Sequence, residues 1–404
     1  MRLLHTSDWH LGKLTYNVSR RPDHESVHAE IVAHARDFAP DLIVHTGDLF
    51  DVKMPSVDDL RLGIEILDIL AALAPVVVLC GNHENPKLFR LFQLLRGGER
   101  LRFVDRARAP QNGGVLDYPA RDGDRIRLAP LPFVTRTAFL EDFEDPASWS
   151  SAYGDRIAQI EAALGAGLVA GGDRAHDVCV FAAHLHVTGA ILARSERQVH
   201  IDDYATRPEA IPSVAYAAFG HIHKPQALAG RPWARYAGSP IPIDFGEVGE
   251  TKSIVLVEAR PGKNAHVRTA PLGGGRPLRR ERGTLDVLAA RAKDLAGALA
   301  LVTVEAPGAQ QLLFEEVQRR LPQTTLLAVN TVDPNRHIDV VEVTDASPEP
   351  ELEELFAAYL AEHGKADADN RRIAELFAEA VRSVAGDEAV RLSELDDVLE
   401  VTST

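Results

Sequence analysis

The sequence predicts an α/β protein whose working residues sit at the ends of sheet strands. Three observations carry that expectation. Short apolar runs alternate with amphipathic helical stretches over the first two thirds of the chain. Five of those runs stop at a small residue followed at once by a good metal ligand. At 404 residues the chain is also too long for one ordinary domain, and two or three are expected.

In chain order, residues 2–7 read as a strand ending at Ser7-Asp8-Trp9-His10. Residues 22–38 read as a helix, with Pro22 at its start and Ile31, Ala35 and Phe38 on one face. A strand over 41–46 leads to Gly47-Asp48. Ser56 is placed to cap a helix whose stripe is Leu60, Ile64, Leu67 and Leu70, ending near Leu73. Val76 to Leu79 form a strand that ends at Gly81-Asn82-His83. The helix from Pro86 to about Leu95 carries more apolar residues than one core-facing stripe needs, which leaves self-association open. Asp122-Gly123 is a hairpin signal. A helix covers roughly Tyr153 to Leu168, strand 178–183 ends at His184, and strand 214–219 ends at Gly220-His221-Ile222-His223. Residues 252–259 and 264–270 alternate like half-exposed strands. Gly273-Gly274-Gly275 reads as a linker. Beyond it, strand 277–282, a helix near 284–297, strand 300–305, helix 309–320 and strand 325–332 make a second α+β unit over 276–335. After a linker over 336–350, residues 351–404 hold two amphipathic helices, with Leu352, Leu355, Phe356 and Tyr359 on the first and Ile373, Leu376, Phe377, Val381 and Val384 on the second.

A composition of 45% hydrophobic and 25% charged residues is that of a globular protein. No apolar run approaches the roughly 18 residues of a membrane span. A strand pattern from Met1 onward leaves no room for a signal peptide, so a cytoplasmic protein is expected. Cys80 and Cys179 each lie in an apolar run and read as small buried hydrophobes. The net charge of −15 is concentrated: residues 341–404 hold 17 Asp/Glu and 5 Lys/Arg, a net of −12, which leaves −3 for the first 340. Within that balanced body two stretches are basic, Arg96–Arg108 and Arg260–Arg282. Either suits contact with phosphates, although a solvated face is the commoner meaning of such a stretch.

The five strand ends carry the chemistry: Ser7-Asp8, Gly47-Asp48, Gly81-Asn82, Ala183-His184 and Gly220-His221. A lone Asp or His at a strand end is usually a turn residue. Five in one domain are hard to assign to turns, because a parallel sheet brings its strand ends onto one rim. Asp8-x-His10 and His221-x-His223 use a spacing that puts both side chains on one side of an extended segment. Carboxylate and amide oxygens mixed with imidazoles, without cysteine, suit Mn²⁺, Fe or Zn²⁺. Seven ligands exceed the need of one ion and fit two ions about 4 Å apart that share Asp48.

Asp8-x-His10, Gly47-Asp48, Gly81-Asn82-His83-Glu84, His184 and Gly220-His221-x-His223 together resemble the signature of the calcineurin-like metallophosphoesterases. Ser7-Asp8-Trp9-His10-Leu11-Gly12, Gly47-Asp48-Leu49-Phe50-Asp51 and Tyr236-Ala237-Gly238-Ser239-Pro240-Ile241-Pro242 are similar to the bacterial nuclease subunits of that family. The resemblance is strong over residues 1–275 and looser over 276–340. It implies a two-sheet β-sandwich flanked by helices (residues 1–272), a smaller α+β capping domain and C-terminal helices. It further implies that Asp8, His10, Asp48 and His223 hold one ion, that Asp48, Asn82, His184 and His221 hold the other, and that His83 contacts the scissile phosphate. His186 competes with His184 as a ligand, and His184 is preferred because it directly follows the apolar run. Asp51 stands where some relatives have a histidine. The implied activity is Mn²⁺-dependent cleavage of DNA, as a 3′–5′ double-strand exonuclease and a single-strand or hairpin endonuclease. The implied partners are a second copy, met through nuclease-domain helices, and an SMC-like ATPase met through the C-terminal helices. A phosphatase or small-molecule phosphodiesterase with the same site, and a scaffold with a vestigial site, are the alternative readings.

Overall fold

The computed structural model describes residues 1–135, 153–192, 205–306 and 313–333, all within one compact unit, Met1–Asn335. The expected 336–350 linker and C-terminal helices lie outside the described residues. In chain order the strands are β1 (Arg2–Thr6), β2 (Leu14–Thr15), β3 (Val18–Ser19), β4 (Leu42–His45), β5 (Val76–Leu79), β6 (Leu101–Val104), β7 (Leu116–Pro119), β8 (Arg125–Leu131), β9 (Asp177–His184) and β10 (His186–Val187). They continue as β11 (Ala205–Thr206), β12 (Tyr216–Gly220), β13 (Gln226–Leu228), β14 (Arg231–Tyr236), β15 (Ser253–Glu258), β16 (His266–Pro271), β17 (Leu278–Gly283), β18 (Leu299–Glu305) and β19 (Thr325–Val332). The main helices are α1 (Arg21–Phe38), α2 (Val57–Leu73), α3 (Pro86–Leu95), α4 (Tyr153–Val169), α5 (Leu285–Ala290) and α6 (Leu313–Arg320).

Two six-stranded sheets carry the architecture. The first runs β16-β15-β1-β4-β5-β6, the second β13-β14-β12-β9-β8-β7. β1, β4, β5 and β6 are mutually parallel, as are β14, β12, β9 and β8; antiparallel pairing adds β15 and β16 to one edge of the first sheet and β13 and β7 to the two edges of the second. Strands buried on both faces need unbroken apolar runs, which Leu42-Ile43-Val44 and Val76-Val77-Val78-Leu79 supply. Leu3, Leu42, Val44, Val77 and Leu79 pack against Ile126, Val178, Val180 and Ala218 of the other sheet. Leu4, Ile43 and Val78 face Ile31, Ala35, Leu67, Leu70, Phe89 and Phe92 of α1, α2 and α3. The outer face of the second sheet is covered by Ile157, Ile160, Leu164 and Leu168 of α4. The result is a helix-flanked sandwich, and a Leu→Ala change in its middle layer would cost about 2–5 kcal/mol.

Local signals explain the helix ends. Ser56 Oγ accepts from Asp59 N at 3.2 Å and caps α2; Asn85 Oδ1 accepts from Lys87 N at 3.0 Å and caps α3, with Pro86 as its first residue. The hairpin turn forms between β7 and β8, where Asp122 and Gly123 both take positive φ.

Four expectations need correction or completion. β15 is not half-exposed: Ser253 through Val257 are all buried, because β15 sits inside the first sheet between β1 and β16. Only the edge strand β16 alternates. Gly273-Gly274-Gly275 is fastened rather than loose: Gly273 N and Gly274 N donate to the Glu30 carboxylate at about 3 Å, and Arg276 forks onto Asp23, which also binds the fully buried Arg20. The helix near 284–297 is regular only over α5, capped by Thr284, and continues as turns. The 96–108 stretch contains β6, and Arg96 pairs with Asp68, Arg100 binds the Ala71 carbonyl and Arg108 pairs with Asp105. Those arginines serve the fold.

The third sheet, β17-β18-β19, is parallel throughout. With α5 and α6 it has its own core of Leu288, Leu295, Val302, Val304, Val317 and Leu321. Leu278, Leu299 and Leu301 on its other face meet Phe245. No described helix is long and apolar enough to cross a membrane. Cys80 and Cys179 are both free thiols.

Candidate metal centre

The loops after β1, β4, β5, β9 and β12 meet at one rim of the sandwich. The first two run side by side: Asp8 N donates to Gly47 O at 2.9 Å, and His10 N to Asp48 O at 3.0 Å. Close approach explains the small residues that precede the ligands. A Cβ on Gly47, which has φ +105°, would stand 2.2 Å from His184 Nδ1, and one on Gly81 would stand 2.1 Å from Asp48 Oδ1. Eight described non-glycine residues take positive φ, and four of them are Asp8, His10, Asp48 and His221. Half of the strained backbone thus lies in this one cluster, as expected where the surrounding structure enforces a geometry for use.

All seven sequence-predicted ligands converge. Ligand atoms of Asp8, His10 and His223 lie within 4.8 Å of one another, as do those of Asp48, His184 and His221. Asp48 Oδ2 stands 3.4 Å from His184 Nε2 and 3.6 Å from His10 Nε2, so it faces both groups. Asn82 Oδ1 stands 2.8 Å from His184 Nε2 and 2.9 Å from His221 Nδ1. His10 Nε2 and His223 Nε2 face each other at 3.2 Å. His184 belongs to the cluster and His186 to none of its ligand groups. His83 adjoins the seven: its ligand atom lies within 4.8 Å of those of His10 and Asp48, its ring is 4.7 Å from that of His10, and its backbone N–H donates to Asp48 Oδ1 at 3.0 Å.

Outer partners orient the rings. His184 Nδ1–H donates to the Thr46 carbonyl at 2.7 Å, and His223 Nδ1–H to Glu247 Oε1 at 3.0 Å. His10 Nδ1 lies 3.3 Å from Asp51 Oδ1. His83 Nδ1–H donates to the Asp51 carbonyl at 2.7 Å. For the candidate ligands His10, His184 and His223 each arrangement turns Nε2 inward, the nitrogen a metal would take. Glu247 is wholly buried and is held by Lys252 Nζ at 2.6 Å and Ser239 Oγ at 3.2 Å. Glu84, also buried, accepts from the N–H groups of Asp48, Phe50 and Gly81 and so ties two ligand loops together.

Burial and mutual charge set the electrostatics. Burial pushes Asp8 up to about 6 and Glu84 up to about 8, with the Asp48 charge adding to both. Burial also opposes the charge on Asp48, but His184, His83 and His10 outweigh it and hold Asp48 well below the usual carboxylate range. Burial alone would lower His184; Asp48 overrides it and carries His184 up to about 9. Burial keeps His10 down at about 4 and His221 well below its ordinary value. Asp8 Oδ2 is buried without a hydrogen-bond partner. The cluster therefore packs inward-facing acceptors against each other with too few protons to pair them. Cations answer that imbalance, and the donor set of carboxylates, one amide and imidazoles fits divalent transition metals.

Glu247 and the main-chain oxygens of Thr46 and Asp51 escape sequence reasoning. Glu247 lies 24 residues beyond His223, in no recognisable pattern. Glu84 and the Asp51 carboxylate sit inside the motifs, but the spacing alone gives neither a role.

The matching family model and two curated relatives agree with this chemistry. Residues 1–225 match the family model described as calcineurin-like phosphoesterase. The chain is 27% identical over 411 residues to a subunit of the nuclease SbcCD from Bacillus subtilis (strain 168), covering 96% of this chain and 100% of that one. It is 26% identical over 406 residues to the corresponding SbcCD nuclease subunit from Escherichia coli (strain K12), covering 96% and 99%. Among solved structures, a dimetal phosphatase from Danio rerio matches with a TM-score of 0.40 and 13% identity, over 66% of this chain and 98% of that one.

Proposed function

The chain belongs to the calcineurin-like phosphoesterase family, and from that premise we propose that it is a metal-dependent DNA nuclease that hydrolyses phosphodiesters with two divalent ions. The observation that carries the reading is the position of Asp48 Oδ2, which faces both His10 and His184. Asp8, His10, Asp48 and His223 would hold one ion; Asp48, Asn82, His184 and His221 would hold the other. Bound there, the ions would supply Lewis-acid chemistry, neutralising phosphoryl charge and making water acidic enough to react at neutral pH.

The chain's own groups do the rest. His83 has Nδ1–H committed to the Asp51 carbonyl, so its free Nε2 carries the transferable proton. As imidazolium it would stabilise phosphoryl charge and then protonate the leaving oxygen, ending in the tautomer that Asp51 already fixes. Asp51 and Glu247 keep His10 and His223 turned inward. Glu84 holds the Gly47-Asp48 and Gly81-Asn82 turns in register.

DNA as substrate rests on the nuclease relatives, which align along nearly the whole chain. Mn²⁺ is the proposed metal, and double-strand 3′–5′ exonuclease with single-strand or hairpin endonuclease the proposed activity. Those relatives are named as members of a complex called SbcCD. For this chain we assign the SMC-like ATPase SbcC as partner, docked on the amphipathic residues 351–404, with residues 276–335 as a capping domain and the cytoplasm as location. A homodimer is supported by the exposed apolar residues of α2 and α3. Leu94 and Leu95 are 76% and 70% exposed, and Ile69 and Leu73 are exposed on α2.

The test is degradation of linearised plasmid. With Mn²⁺ the DNA is expected to be degraded, and EDTA to stop it. Absence of cleavage with every divalent metal would overturn the nuclease reading. Turnover of small phosphate esters without DNA cleavage would move the chain to the phosphatase reading.

A further inference from the structure

β9 joins two regions of different chemistry. His184 at its C-terminal end belongs to the metal centre, and Asp177, Val178 and Cys179 at its start line a cavity of about 810 Å³. Seven residues of extended chain separate the two, roughly 20 Å. The cavity is bounded by the starts of β9, β12 and β14 and by the turn from β15 to β16. It is distinct from the metal centre and shares no residue with it.

Its lining joins an aromatic floor to uncommitted cations. Trp233, half-buried, packs with Val214 and Leu168 on the core beneath α4. Around it stand Arg174, Arg235 and Lys263. Among the described residues, none of these three forms an ion pair, and the buried Nε of Arg235 has no hydrogen-bond partner. Of the two acids of the lining, Asp177 is neutralised by an arginine and Asp173 caps its own turn, which leaves one carboxylate against the three cations. Asp177 is forked by Arg125 at 2.8 Å through both oxygens, and Asp173 Oδ1 accepts from Ala175 N at 2.9 Å. Arg260, on the rim, has only a surface contact of 3.5 Å with Asp122. A second cavity of about 400 Å³ shares Arg260, Lys263 and Asn264, but there Arg2 pairs with Glu258 and Arg121 with Asp41, so its charges are balanced and the unpaired cations belong to the larger cavity. Arginines of the 96–108 stretch, by contrast, are tied to carboxylates and carbonyls. A cavity that leaves cations unpaired beside an indole suits a ligand with a flat ring and a multiply charged anion.

We infer that this cavity binds a nucleoside phosphate, with the base on Trp233 and the phosphate between Arg174, Arg235 and Lys263. The ligand is either a free mononucleotide or the terminal nucleotide of a strand. The site does not depend on the nuclease reading.

The experiment titrates the full chain in EDTA, which removes metal-bound phosphate from the readout. Probes are dAMP, deoxyadenosine, inorganic phosphate and a short 5′-phosphorylated oligonucleotide, followed by calorimetry and tryptophan fluorescence. Saturable binding of dAMP with quenching is expected, and deoxyadenosine and phosphate should each bind about tenfold or more weakly. Arg174→Glu with Lys263→Glu should weaken dAMP by about tenfold or more, while turnover of a chromogenic phosphodiester with Mn²⁺ stays unchanged. Trp233→Phe, with an unaltered circular dichroism spectrum, should abolish the quench. An oligonucleotide that binds more tightly than dAMP assigns the strand end; equal affinity assigns the free nucleotide. No saturable binding of either at millimolar concentration overturns the proposal. So does an affinity unchanged by the double charge reversal, or inorganic phosphate binding as well as dAMP.

Discussion

His83 is the residue whose role can be separated most cleanly from ligation. Its ring is held by the Asp51 carbonyl and its backbone by Asp48, and it stands beside His10 and Asp48, so ligation and contact with substrate predict different results on replacement. Replacing it with glutamine should leave two metal ions per chain. Turnover of DNA should fall by about 10²–10⁴, the usual worth of a positioned acid. Metal analysis beside a kcat measurement checks this; metal content falling with activity would make His83 a ligand. At this scale the convergence of the seven donors is legible because strand-end residues need no knowledge of distant partners. Their orienting groups are not. Thr46 acts through its carbonyl, which any residue possesses, and Glu247 reaches His223 only once the segment carrying Ser239 and Lys252 has folded.

Among the elements, α3 shows how a local pattern is divided by tertiary context. Phe89 and Phe92 enter the core, and Leu91, Leu94 and Leu95 stay exposed. Surplus apolarity is visible in the sequence; its direction is not. Leu94→Glu with Leu95→Glu should convert a dimer to monomer in sedimentation velocity, with circular dichroism unchanged. A dimer that persists would place the self-association face elsewhere. In β15 the expected alternation holds only for the flanking residues, since Ile254-Val255-Leu256-Val257 is apolar on both faces, the pattern of a strand covered on both sides. Two apolar layers, the second sheet and the helices, cover its two faces. β6 is hidden by the arginines that flank it, Arg96, Arg100 and Arg108, whose partners lie on α2 and in the turn after the strand.

The whole molecule stores an acid sensitivity in its buried histidines. Burial lowers His5 to about 3 and His28 to about 4, and holds His24 and His45 well below the ordinary value. Each folded value lies below the unfolded one of about 6.5. The unfolded chain therefore takes up protons first as pH falls. This histidine contribution is complete above about pH 6.5 and is lost progressively down to the folded values, while Asp8, Glu84 and Glu161, raised by burial, shift stability in the opposite direction as pH falls. By pH 5, His5 and His28 should each cost roughly 2 kcal/mol. Urea unfolding in EDTA at pH 7.5 and pH 5 checks this by comparing the wild type with His28→Asn, which should lose about 2 kcal/mol less between the two pH values; an equal change in both chains would contradict it. The net charge of −15 carries no such information, because most of it belongs to residues 341–404.

The sandwich and its rim bring ligands from both sheets around one carboxylate. Manganese titration of the wild-type chain, Asp48→Asn and His10→Ala tests that claim most directly, with bound metal counted per chain after gel filtration. Two ions are predicted for the wild type, loss of both from Asp48→Asn, and one retained by His10→Ala. An Asp48→Asn chain that still holds one ion at wild-type affinity would contradict the shared-carboxylate account.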